Sequence, residues 1–199
     1  MFIDNTKFKK AVKAAYSGFG LRIEHFEGGF LSINGNAFIL EIDEADLTKK
    51  CKAAIIELTG EIPEEGTGYI YRKGEEKEEV EIEQETEGNL MGMYANGTEA
   101  EDTRLMLQRH STCYSILQTV GKREPHMIRR DIQTMVDGTK VDEDAGELPP
   151  GNPRVTGRLI IWNNDTMQLA TVDVPVHNTG EREFLRLINA KNMTWDFED

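Results

Sequence analysis

Asn34-Gly35-Asn36 lies between two apolar runs, Phe30-Leu31-Ser32-Ile33 and Phe38-Ile39-Leu40-Glu41-Ile42. Asn and Gly tolerate the positive φ of a type I′ turn, so this stretch predicts a β-hairpin and commits the chain to antiparallel sheet. The segment before it has a different period. Phe8, Ala11, Val12, Ala15 and Tyr16 are spaced by threes and fours, which predicts a helix from about Asn5 to Tyr16, capped by Asp4 or Asn5 and ended by Ser17-Gly18. Lys7, Lys9, Lys10 and Lys13 fall on its other sides. Met1-Phe2-Ile3 reads as a short strand ahead of the helix, and Leu21, Ile23 and Phe26 as the first strand of a meander.

A second helix is predicted to about Thr59, capped by Asp43 or Asp46, with Leu47, Cys51, Ala54, Ile55 and Leu58 inward. Tyr69-Ile70-Tyr71 and Val80-Glu81-Ile82-Glu83 read as strands, the latter with one acidic face that protects an edge by charge. Residues 87–97 read as a glycine-rich loop containing a short strand, Leu90 to Tyr94. A third helix is expected from Asp102 or Thr103 to Val120, and a fourth after Pro125 with Met127, Ile128, Ile132 and Met135 buried. Pro149, Pro150 and Pro153 place a long surface loop at residues 137–157. A hairpin follows, from Arg158 to Val176 around Asn163-Asn164-Asp165, then a short helix capped by Thr179 and a last strand through Met193, Trp195 and Phe197.

The expected class is therefore α+β, with antiparallel meanders and hairpins and packed helices. The expected division is an N-terminal subdomain at 1–86, an acidic and glycine-rich connection at 87–102, and a C-terminal subdomain at 103–199 that carries the proline loop.

Chemistry-bearing motifs are scarce. His110 and Cys113, at i and i+3 of the expected third helix, are two ligands of the four that a structural zinc needs, and read better as helix-core residues. Cys51 and Cys113 form no disulfide framework, and Gly18-Phe19-Gly20 follows a helix where a dinucleotide loop would follow a strand. The two helices around Gly121 suggest a helix-turn-helix, but the apolar content of the second and the neighbouring Asp residues oppose a groove-reading role. Neither a catalytic activity, a metal nor a cofactor is expected. No apolar run approaches the roughly 20 residues of a membrane span, and the N-terminus lacks a signal peptide's apolar stretch, so the chain reads as cytoplasmic.

The charge is segregated. Formal net charge is −13, yet residues 74–102 hold eleven acids and one base, which leaves −3 for all the rest. Lys7, Lys9, Lys10, Lys13, Lys49, Lys50, Lys52, Arg104, Arg109, Arg129 and Arg130 all fall in expected helices. Lys and Arg are good helix formers on solvated faces, which is the plain reading; the sharper one is a set of basic helices on an acidic body.

The opening MFIDNTKFKKAVKAAYSGFG, followed by LRIEHFEGGFLSINGNAFILEI, resembles the start of a DNA sliding clamp domain over residues 1–42. That resemblance implies clamp-type α+β domains in a ring whose helices line a central hole, with no catalysis. By the same resemblance, Lys9, Lys10, Lys13, Lys49, Lys50 and Lys52 would face the backbone of double-stranded DNA without sequence specificity, in a homo-oligomer closed through strand edges near Tyr69 to Tyr71 and Met193 to Phe197. The function expected is a non-catalytic, clamp-like accessory of DNA metabolism. The alternative is an acidic protein-interaction or regulatory module, of the kind phages encode, that binds a protein partner through the strand at 75–87 and ignores DNA.

Overall fold

The first hairpin forms, though without a left-handed turn. In the computed structural model, which describes residues 1–82, 89–141 and 147–191, β1 (Leu21–His25), β2 (Phe30–Asn34) and β3 (Ile39–Asp43) make an antiparallel meander. Residues 35–38 are a four-residue loop closed by Gly35 N–H to Phe38 O at 2.9 Å, and none of Asn34, Gly35 and Asn36 has a positive φ. Gly35 is needed for space instead. A Cβ there would lie 2.5 Å from the Phe38 ring, which is itself buried against Phe8.

The flanking helices are α1 (Asn5–Ser17) and α2 (Lys49–Thr59). Asp4 Oδ1 accepts from the N–H groups of Thr6 and Lys7, both at 2.9 Å, and Phe8, Val12 and Ala15 turn inward. The cap of α2 is Thr48, whose Oγ1 accepts from Cys51 N–H at 3.2 Å. Asp43 caps a separate 3-10 turn at Glu44–Asp46, so neither aspartate expected at the head of α2 is its cap. After α2, β4 (Thr67–Tyr71) returns to β1 and β5 (Glu78–Val80) lies outside it. Tyr69 to Tyr71 is consequently an interior strand. The expected closure of a ring through that edge is not available. Glu83 and the expected last strand, Met193 to Phe197, lie outside the described residues.

The larger corrections are in the second half. Residues 102–120 are not a helix: β6 (Thr98–Arg109) and β7 (Thr112–Thr119) form a hairpin, followed by β8 (Pro125–Arg129) where a fourth helix was expected. Leu105 and Leu107 alternate with exposed Met106 and Gln108, the period of a strand. Two features conceal it. The hairpin turns at His110-Ser111 with His110 at φ 51 and no glycine, and a bulge slips the register between Asp102 and Met106 with Arg104 at φ 59. Thr103 holds that bulge, its buried Oγ1 donating to Ile116 O at 2.7 Å and accepting from Leu105 N–H at 3.2 Å. His110 and Cys113 thus sit on a turn and a strand, not on one helical face, and no helix-turn-helix exists here. Only α4 (Arg130–Gln133), a single turn, is helical in this stretch. Leu90 to Tyr94, expected as a strand, belongs to α3 (Asn89–Ala95).

The hairpin of β10 (Leu159–Asn163) and β11 (Met167–Val172) forms as expected, with β9 (Arg154–Thr156) added from the end of the expected proline loop. The final α5 (Thr179–Asn189) also forms, capped by Asn178 rather than Thr179. Among the described residues, the eleven strands make one sheet in the order β5-β4-β1-β2-β3-β11-β10-β9-β6-β7-β8, with every neighbouring pair antiparallel. The fold is α+β. Strands β1–β5 and β6–β11 meet at the β3–β11 pairing, and one core cluster runs through both groups.

Strand alternation assigns the helices to faces. Leu21, Ile23, Leu31, Leu40, Ile160 and Leu169 face the core shared with α1 and α2. Their neighbours Ile39, Ile161 and Ala170 face α3, and Ile116 and Met127 face α5. Beyond β11 the chain crosses to β8, where Val174 N–H donates to Met127 O at 2.7 Å and the Asp173 carboxylate accepts from Met127 N–H at 2.9 Å. These bonds cover the middle of the β8 edge. The opposite edge, β5, carries exposed Glu78 and Glu79.

On the α3 face, Glu24, Ser32, Glu41 and Gln168 form a buried polar row across β1, β2, β3 and β11. Burial pushes the Glu41 carboxyl up to about 7 from an ordinary value of 4.5; the Leu90 N–H bond opposes this, and the nearby Glu24 adds to it. The folded state therefore holds a proton there that the unfolded chain has released, and stability falls as pH rises from about 4.5 to about 7. Glu41→Gln mimics the protonated acid. Urea denaturation at pH 5 and pH 8 should show the wild type losing about 2 kcal/mol more than the variant across that interval. Equal losses would show that Glu41 is ionised throughout.

Candidate nucleic-acid interface

A helix with an apolar stripe must present its remaining residues to solvent, and in α1 and α2 those residues are largely lysines. Phe8, Val12 and Ala15 point α1 at the sheet, which leaves Lys9, Lys10 and Lys13 exposed on the far side. Cys51, Ala54 and Ile55 do the same for α2, leaving Lys49 and Lys50 exposed and Lys52 half-buried on one flank. The helices lie side by side with their N-terminal ends joined. Asn5 Oδ1 accepts from Thr48 Oγ1 at 2.8 Å and from Cys51 Sγ at 3.1 Å. Farther along, Lys9 pairs with Glu57 across the seam.

All six lysines singled out from the sequence thus lie on the two helices of one sheet face. Two are already engaged, Lys9 with Glu57 and Lys52 with Glu44 at 2.8 Å. The Lys9 ammonium, with a smaller contribution from Lys13, holds the Glu57 carboxyl below its usual range. Lys10, Lys13, Lys49 and Lys50 make no hydrogen bond or ion pair among the described residues. Lys49 and Lys50 are the first two residues of α2, whose first turn contains no acid. That end of a helix carries partial positive charge, so cations there oppose helix stability. Helix stability therefore does not account for them.

The other bases have different fates. Arg109 lies on β6, its guanidinium tied to both carboxylate oxygens of the buried Glu181 at 2.9 and 2.8 Å, and Arg104 sits at the bulge. Neither belongs to a basic helix. Lys7, on the flank of α1 away from α2, donates to Thr134 O. Arg129 and Arg130 are brought beside that flank by β8 and α4, an adjacency that depends on long-range strand pairing and has no local signal in the sequence. The acids of residues 75–81 lie at the β4–β5 end, where Arg72 pairs with Glu78 at 2.7 Å and Lys77 with Glu61. The charge segregation is therefore spatial as well as sequential.

Among the described residues no three His, Cys, Asp or Glu side chains are placed to hold a metal ion, and no helix is long and apolar enough to cross a membrane. No family model and no curated protein matches the chain. Among solved structures, it is similar to the DNA polymerase III beta chain of Streptococcus pneumoniae TIGR4, at 10% identity and a TM-score of 0.35 over 90% of this chain and 66% of that one. It is likewise similar to the DnaN sliding clamp, DNA polymerase III subunit beta, of Bartonella birtlesii bound to griselimycin, at 8% identity and a TM-score of 0.33 over 90% and 66%. The chain spans about two thirds of the length of these clamp structures.

Proposed function

We propose that this chain is a non-catalytic accessory of DNA metabolism that holds duplex DNA by its backbone, in the manner of a sliding clamp. The observation that carries this reading is the set of four lysines on α1 and α2 that make no hydrogen bond or ion pair among the described residues, two of them at the positive end of a helix. Cations in excess of those that Glu57 and Glu44 pair with are complementary to a polyanion, and contacts of this kind read phosphate rather than sequence. Ten of the thirteen net negative charges fall in residues 74–102, so that segment repels DNA and the duplex is directed to the helical face. Contacts this weak retain DNA only when copies of the chain close around it, so the proposal includes a homo-oligomer.

Fluorescence anisotropy with a 30-base-pair duplex tests the contact. Binding should be independent of sequence, and the logarithm of the association constant should fall linearly with log salt, with a slope of about −3 to −4 for four phosphate contacts. Light scattering on the same sample should show a dimer or larger. A monomer that ignores DNA and binds a basic protein would replace this reading with that of an acidic interaction module.

A further inference from the structure

Beside α1, on the flank away from α2, two hollows of about 480 and 370 Å³ meet at Arg129, Asp131 and Thr134. Together they form a furrow between the first helix and the corner where β7 and β8 reach α4. We propose that this furrow is a second phosphodiester-binding site, in which one strand of the DNA backbone is gripped between Lys10 and Arg130. The inference rests on the DNA reading above and extends it to residues outside the two lysine helices.

The lining suits a sugar-phosphate chain. The α1 wall is built from Ala11, Ala14 and Ala15, small residues that permit close approach, and the buried Phe38 backs the floor. The far hollow is lined by the hydroxyls of Ser111 and Thr112 and by Arg130, donors that match phosphate oxygens. Four cations border the furrow against one acid. That acid, Asp131, is committed to Arg129, whose Nε donates to Oδ1 at 3.0 Å in a two-pronged pair. Lys7 is committed to the Thr134 carbonyl oxygen. At one end Lys10 makes no hydrogen bond or ion pair among the described residues. At the other, the Arg130 guanidinium makes one long hydrogen bond among the described residues, 3.4 Å to Ser115 Oγ.

The neutralised Arg129 and the engaged Lys7 hold the shape of the furrow while Lys10 and Arg130 supply its attraction. An acidic peptide would meet the same cations. The backbone of DNA is the occupant favoured here because Lys10 belongs both to the furrow and to the exposed lysine array, so a duplex on that array already reaches it. Spacings of about 8–10 Å between packed elements place α2, α1 and α4 within roughly 20 Å of one another, a span one duplex covers.

The test compares wild-type protein with Lys10→Ala/Arg130→Ala and with Ser111→Glu, which adds a carboxylate to the exposed rim and removes nothing the fold uses. With a slope of about 0.9 per phosphate, one contact is worth roughly eightfold between 1 M and 0.1 M salt. The double variant should therefore bind the 30-base-pair duplex about 50-fold more weakly at 0.1 M salt, with a slope shallower by about 2. Ser111→Glu should lose about tenfold even if the double variant fails to fold. If both variants bind as the wild type does while Lys49→Glu/Lys50→Glu loses binding, the furrow is overturned and the lysine face stands. If wild-type protein does not bind the duplex, or polyglutamate competes for the furrow better than DNA, both the furrow and its nucleic-acid occupant are overturned.

Discussion

Replacing Lys9, Lys10, Lys49 and Lys50 together by Glu is expected to abolish binding to duplex DNA while leaving the protein folded. Each lysine that neutralises a phosphate contributes roughly eightfold at 0.1 M salt relative to 1 M, so losing Lys10, Lys49 and Lys50, the three of these not held by an acid, costs about 500-fold before any repulsion is counted. The reversal adds that repulsion, taking the formal charge from −13 to −21 with the whole change on one face. Stability should respond in the opposite sense at two of the positions. At the start of α2 a carboxylate is favoured by the helix dipole by about 0.3–1 kcal/mol, so Lys49→Glu and Lys50→Glu should hold or raise the melting temperature. Lys9→Glu breaks the exposed pair with Glu57, a loss of less than about 1 kcal/mol. Anisotropy and thermal melting on the same samples separate the two effects. Binding that survives reversal with an unchanged salt slope would remove the lysine face from the function altogether.

The legible parts of this chain are those in which one local period runs undisturbed between two local stops. In α1 the inward set Phe8, Val12 and Ala15 lies between Asp4 and Gly18, and in the hairpin of β10 and β11 two apolar runs flank Asn163-Asn164-Asp165. The hairpin of β6 and β7 lacks both signs. Its bulge at Arg104 interrupts the alternation, and its turn is built on His110, a residue that pays for left-handed backbone with no glycine to announce it. The clue available was Leu105 and Leu107, two apart, beside a Thr, Tyr and Ile-rich stretch from Thr112 that favours strand.

The candidate site divides along the same line. The lysines of α1 and α2 were readable because each helix was readable. Which of them are free was not, since Glu57 and Glu44 neutralise Lys9 and Lys52 through tertiary contacts. The furrow was less readable still, because Arg130 reaches α1 only through the strand order that places β8 at the end of the sheet.

The second large effect concerns what holds the lysine face in place. Phe8 is fully buried beneath α1, and its ring meets the Phe38 ring edge-on, with centroids 6.3 Å apart and planes at 65°. Phe8→Ala should destabilise the protein by about 3–5 kcal/mol in urea denaturation, the transfer of the ring plus the cavity it leaves. Against a typical total of roughly 5–15 kcal/mol this is a large share, and the edge-on pair contributes about 1 kcal/mol of it. The loss also has a direction. Phe8 fastens α1 to the hairpin loop, and Phe38 backs the floor of the furrow, so the variant should disturb the furrow before the contact at the head of α2, which is fastened separately by Cys51, Ala54 and Ile55. At temperatures where Phe8→Ala is still folded, DNA affinity should fall by the portion assigned to Lys10 and Arg130, while sensitivity to Lys49→Glu/Lys50→Glu remains. A loss of stability below 1 kcal/mol would mean that α1 is not seated on the sheet through this side chain, and the placement of Lys9, Lys10 and Lys13 would fall with it.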